Sequence, residues 1–85
     1  MGVLRVLSHH GANRYQWNYP AVLVGDEEAQ QAIREAERIF AEQRAQGSTA
    51  VRVSPGKPAE RLDSFDPAAQ EIVMIPRVVG GRVAE

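Results

Sequence analysis

The amino-acid sequence predicts an α+β fold in which a single amphipathic helix packs across one face of a small mixed β-sheet. Only one long segment, "DEEAQQAIREAERIFAEQRAQG", repeats its apolar residues every three or four positions. Before and after it, apolar residues alternate or run together in stretches short enough for strands. One crossover helix is too few for a doubly wound sheet, so the helix is expected to cover strands of mixed direction. The chain's 85 residues leave room for one domain, 1–85, with 80–85 expected as a flexible tail. A domain of this size buries roughly 60–65% of the surface its unfolded chain exposes, enough for one modest core.

The first strand is "GVLRVLS", where Val3, Arg5 and Leu7 alternate with Leu4 and Val6. In "NRYQWNYP" the rings of Tyr15, Trp17 and Tyr19 alternate with Arg14, Gln16 and Asn18, so three rings are expected on one strand face. A hairpin through residues 8–13 would join the two strands. Pro20 has no backbone donor and should end ladder pairing or confine it to an edge. The "AVLVG" that follows is compatible both with a longer strand and with direct entry into the helix.

In the helix, Ala29, Ala32, Ile33, Ala36, Ile39 and Phe40 form one apolar stripe. Asp26 is placed to cap the first free amides, and Glu27 and Glu28 oppose the positive end of the dipole. Arg44 suits the negative end, and Gly47 can take the left-handed conformation that stops the helix.

"STAVRVS" alternates Val51 and Val53 with Arg52, the pattern of a half-buried strand with its valines inward. "SPGKP" supplies proline and glycine for the centre of a type II turn. "AERLDSFDPAAQ" has only Leu62 and Phe65 as apolar anchors and reads as a packed loop with a short strand or helical turn, Asp66 serving a turn before Pro67. The last strand, "EIVMIPRVV", is apolar on both faces from Ile72 to Ile75, which marks a strand that is central or covered on both sides.

Composition removes several classes of function. Ten Lys and Arg against eleven Asp and Glu give a net charge of −1, without the positive excess that a nucleic-acid backbone rewards, so a nucleic-acid partner is not expected. Nine of the ten basic residues are Arg, which suits either a surface made for bidentate carboxylate or phosphate contacts or, the favoured reading, a GC-rich genome; Lys57 is the only lysine. Without Cys there is no disulfide, thiolate nucleophile or cysteine metal site. No apolar run approaches the roughly 20 residues of a spanning helix, and the amino terminus does not read as a secretion signal. The expectation is a soluble cytoplasmic protein with no membrane partner.

Chemistry finds little footing. His9 and His10 are adjacent, so in an extended loop their rings point apart, and the chain has no other His. No metal site is expected. Glu60, Asp63 and Asp66 read as a solvated acidic loop rather than paired catalytic carboxylates, and no serine has the context of a nucleophile elbow. The chain is expected to be no enzyme and to need no cofactor.

Binding features are clearer. Tyr15, Trp17 and Tyr19 supply either core packing beneath the helix, the favoured reading in a small core, or an exposed anchor for a partner. If they face the helix, Arg14, Gln16 and Asn18 become the exposed readout. Gly80-Gly81 supplies either a turn, the commoner use of paired glycines, or an unhindered handle once Arg82 to Glu85 are removed.

The stretch "AVRVSPGKPAERLDSFDPAAQEIVMIPRVVGG" resembles the second half of the β-grasp fold of ubiquitin and the small sulfur carriers: strand, glycine turn, loop segment, final strand and Gly-Gly. That resemblance implies a β-grasp-like architecture and a carboxylate at Gly81 that is activated and conjugated, with Lys57 as the one side-chain attachment point. Two features depart from it: residues 82–85 follow the second glycine, and the Tyr15, Trp17, Tyr19 alternation is foreign to the family. A looser resemblance, through a tryptophan strand, a helix, "FDPAAQEIVMIP" and the Gly-Gly, is to small uncharacterised proteins of tailed bacteriophages, and implies an accessory or virion protein. The expected function is a non-catalytic protein-interaction module. Its partner-binding residues are Tyr15, Trp17, Tyr19, Pro76 and Arg77, with Gly80 and Gly81 a conjugation site conditional on processing.

Overall fold

The structure, a computed structural model, describes residues 1–8, 11–79 and 82–83, with the backbone alone at 78, 79, 82 and 83. The chain runs through β1 (Gly2–Ser8), β2 (Gly11–Trp17), α1 (Tyr19–Leu23), α2 (Glu27–Ala45), β3 (Thr49–Val53), β4 (Glu60–Leu62) and β5 (Glu71–Ile75). Two short strands follow, β6 (Val78–Val79) and β7 (Arg82–Val83). The first five strands form one sheet in the order β2-β1-β5-β3-β4. β1 and β5 are parallel, and the other neighbours are antiparallel. The fold is therefore α+β, with one long helix packed on a five-stranded mixed sheet.

β5 lies in the middle, as its apolar run requires, with β1 on one side and β3 on the other. Its two faces are not equivalent. Ile72 and Met74 are fully buried beneath α2, whereas Ile75 on the opposite face is 40% exposed. Centrality, and not cover on both sides, accounts for the continuous apolar pattern.

The pairing register decides which residues share the helix-facing side. Leu4 sits beside Ile72 and Val6 beside Met74, while Ala50 lies opposite Met74 and Gly2 opposite Trp17. With Ala36 and Phe40 of α2 these residues form the core, and Tyr15, Ala32, Ile33, Ile39, Leu62 and Phe65 pack around it. Ala36 and Ala50 are both fully buried, so α2 and β3 offer small side chains that leave room for Trp17 and Met74.

β3 corrects one sequence expectation. It is Ala50, not Val51 or Val53, that turns to the helix. Because the side-chain period is two, this register also sends Arg52 to the helix-facing side, opposite Ile72. The sheet ends nearby, and Arg52 satisfies its guanidinium there: Nη1 donates to Asp66 Oδ2 at 2.7 Å and Nη2 to Glu60 Oε2 at 2.8 Å. The bond to Asp66, then that to Glu60, raises the Arg52 pKa above its ordinary value. Glu60 and Asp66 are thus clamps for the loop and not only a solvated surface. Asp66 also serves the expected turn, its Oδ1 accepting from Ala68 N at 3.0 Å.

The helix ends follow the sequence closely. Asp26 Oδ1 accepts from Ala29 N at 3.0 Å at the start of α2. At its end Gly47 has φ +94°, and Gly47 N and Ser48 N donate to the carbonyls of Arg44 and Gln43, both at 3.0 Å. These are the paired bonds of a Schellman stop. We expect Asp26→Ala to cost about 1 kcal/mol, read as a lower urea midpoint at unchanged slope. A change in slope would mean that the cap shapes more than helix stability.

The "YPAVL" segment departs from both sequence alternatives. Pairing stops at Trp17, and residues 19–23 form α1, capped by Asn18 Oδ1 on Ala21 N at 3.2 Å, with Pro20 in its first turn. Proline's fixed φ and missing N–H suit a first helical turn better than a ladder. Gly56, with φ +71°, occupies the predicted turn before β4, and Lys57 N donates to Ser54 O at 3.2 Å.

Candidate docking site

Two surfaces follow from this arrangement. α2 packs on β2 and β3 across one side of the sheet, while Val3, Leu7, Val51, Val53, Val73 and Ile75 lie on the other. Arg5 and Arg14 face each other on that open side. Arg5 Nε, which makes no hydrogen bond, lies 3.5 Å from Glu71 Oε2, a distance of ion pairing.

The second surface is a cleft of about 340 Å³ at the hairpin end of the sheet. The parallel register of Val6 with Met74 brings the end of β1 level with the residues that leave β5. α2 stops over the same end because its Gly47 turn sends the chain directly into β3. Three pieces of chain therefore converge: Val6, Leu7, Ser8 and Asn13 from the hairpin, Gln43, Gln46 and Ser48 from the helix end, and Pro76 and Arg77 from the β5 exit.

The cleft has an apolar side, Val6, Leu7 and Pro76, and a polar side of amides, hydroxyls and one guanidinium. Among the described residues no carboxylate lines it. Ser48 is buried and its Oγ donates to Gln43 Oε1 at 3.2 Å. Arg44 Nη1 donates to Ser48 O at 3.3 Å, and the carbonyls of Glu42, Gln43 and Arg44 accept from backbone amides of the helix end. Arg77 lays its aliphatic arm across Gly47, where an added Cβ would approach its Cδ to 3.1 Å. Among the described residues the side chains of Asn13, Gln46 and Arg77 make no hydrogen bond or ion pair.

The expected site residues divide accordingly. Pro76 and Arg77 line the cleft. Trp17 does not belong to a docking surface in this fold: it is 1% exposed, and its Nε1 donates to Pro67 O at 2.9 Å. Its ring lies 5.2 Å from that of Phe65, which in turn meets Phe40 edge-on at 5.7 Å. Tyr15 is half-buried on the same helix-facing side, and Tyr19 leaves the strand altogether to begin α1. The shared row of three rings is thus a pair, and the pair serves the core. Arg14 and Gln16 are exposed on the other side of β2, as follows once the rings face the helix, but Asn18 is engaged as a helix cap. Gly80 and Gly81, like His9 and His10, lie outside the described residues.

Asn13, Gln43 and Gln46 were not singled out in the sequence, where Ser48 counted only among the serines without a nucleophile's context. One sign was present: the apolar stripe of α2 would continue from Ala36 and Phe40 to position 43, and there it turns polar. A core stripe that ends in an amide marks a last turn reaching past the core.

Among the described residues no helix is long and apolar enough to cross a membrane. Comparison with known protein families, with curated proteins and with solved structures gives no match.

Proposed function

We propose that this protein is a non-catalytic interaction module that docks a protein partner at the hairpin end of its sheet. The observation that carries the reading is the convergence of Pro76 and Arg77 with the unpaired Asn13 and Gln46 around one cleft. Polar side chains gathered at one cleft without partners of their own are available to a docking partner. On the looser resemblance to tailed-phage proteins, the module would be an accessory or virion protein acting in the host cytoplasm or the particle.

Site-specific photo-crosslinking in the native cell tests this reading. A crosslinker at position 13 or 77 should capture one discrete partner that a crosslinker at Glu35, on the outer face of α2, does not. Equal capture from all three positions, or from none, would sink the proposal.

A β-grasp assignment, and with it the carrier reading, draws support from the strand order β2-β1-β5-β3-β4 with parallel β1 and β5 at the centre. On that reading Gly81 is activated after removal of residues 82–85. Against it, Val78–Val79 pairs with Arg82–Val83 across the Gly80-Gly81 interval, so residues past the glycines take part in backbone pairing. Intact mass spectrometry of protein from its native cell decides: loss of residues 82–85 or an adduct at Gly81 supports the carrier, and full-length unmodified protein removes it.

A further inference from the structure

We propose that the cleft captures the C-terminal carboxylate of a partner chain, with Arg77 as its charge partner and the amides of Asn13 and Gln46 as further donors. The inference rests on the docking reading and names what is docked. Charge decides the sign of the ligand: among the described residues the lining carries one guanidinium and no carboxylate. A cation or metal ion would meet no negative side chain among the described residues there.

The helix end does not reverse that sign. The negative pole of α2 would repel an anion if its carbonyls were free. Instead the carbonyls of Glu42, Gln43 and Arg44 accept from the amides of Gln46, Gly47 and Ser48, and Arg44 covers Ser48 O. Arg44 also faces Asp63 at 3.9 Å, so it is partly committed, whereas Arg77 makes no ion pair among the described residues. A planar guanidinium offers a two-pronged donor that matches a carboxylate.

The small size of the cleft suits a chain end better than a long segment running through. About 340 Å³ lies at the small end of ligand pockets, which run from about 300 to 1,000 Å³. Hairpin, helix end and β5 exit border the cleft from three parts of the chain. Val6, Leu7 and Pro76 offer apolar contact to one small side chain beside the carboxylate.

The test uses the full-length chain, labelled with nitrogen-15, and three acetylated tripeptides. One ends in valine as the free acid, the second is its C-terminal amide, and the third is that amide with glutamate in the middle. The free acid alone should shift the side-chain resonances of Asn13, Gln46 and Arg77, and binding should weaken as salt rises. Arg77→Gln should reduce affinity about tenfold or more, while Arg77→Lys should retain part of it. Arg77 is exposed, so neither change should disturb the amide spectrum elsewhere.

Equal binding of the free acid and the plain amide would overturn the role of charge. Equal binding of the glutamate peptide would overturn the choice of a terminal carboxylate. Absence of shifts with all three peptides would also overturn the proposal, and if positions 13 and 77 still crosslinked one partner, the docking reading would survive it.

Discussion

Trp17→Ala should remove a large share of the domain's stability in water at room temperature. Replacing a buried tryptophan with alanine typically costs about 3–5 kcal/mol, the lost transfer of the ring plus the cavity it leaves. At about 0.05–0.15 kcal/mol per residue, a chain of this length has only about 4–13 kcal/mol of stability in total. Trp17 also holds the 63–70 loop, through its contact with Phe65 and its hydrogen bond to Pro67 O. Gly2 shows how closely the indole is fitted, because a Cβ at that position would overlap the Trp17 ring. Urea unfolding followed by far-ultraviolet circular dichroism measures the loss. Trp17→Phe separates its parts: a ring remains against Phe65, but Pro67 O loses its donor, at a cost of about 1–3 kcal/mol for an acceptor left unpaired. A Trp17→Ala variant with nearly wild-type stability would show that the ring is not part of the core.

Ile72→Ala and Ile75→Ala, three positions apart in one strand, should differ several-fold in their effects. Ile72 is fully buried against Leu4 and the underside of α2, so its truncation should cost about 2–5 kcal/mol. Ile75 points to the open side and is 40% exposed, so its truncation removes less buried surface and leaves no enclosed cavity, and should cost about 1 kcal/mol. The comparison holds backbone propensity constant, since both changes are Ile to Ala in β5. Equal losses would mean that the open side of the sheet is covered in solution, and the protein's concentration dependence would then distinguish self-association.

Much of the fold was legible because its signals are local. Asp26, the two glutamates after it, the apolar stripe and Gly47 act within a few residues of one another, and α2 starts and stops where they say. The Pro55-Gly56 turn is of the same kind. α1 escaped because five residues are too few to show a helical period, although Asn18 and Pro20 were there to mark its start. Beyond it the missed features are matters of pairing. Val51 and Val53 looked inward until the register with β5 gave that side to Ala50. Arg52 read as the solvated half of an alternating strand, yet its partners are Asp66 and Glu60, from the β4 segment and the loop beyond it.

The candidate site shows the same division. Pro76 and Arg77 stood out in the sequence as the exit from an apolar strand. Their companions Asn13, Gln43 and Gln46 are ordinary polar residues, and only the parallel pairing of β1 with β5 and the end of α2 bring them to one cleft. By itself, then, the sequence determined where the long helix begins and ends, that the last strand is either central or covered on both sides, and that the charge balance is near neutral. The tertiary structure decided which face of each strand meets the helix, that Trp17 is core, and which polar groups converge. Periodicity and capping depend on neighbours along the chain, whereas register depends on strands tens of residues apart, and a shift of one residue exchanges the two faces of a strand.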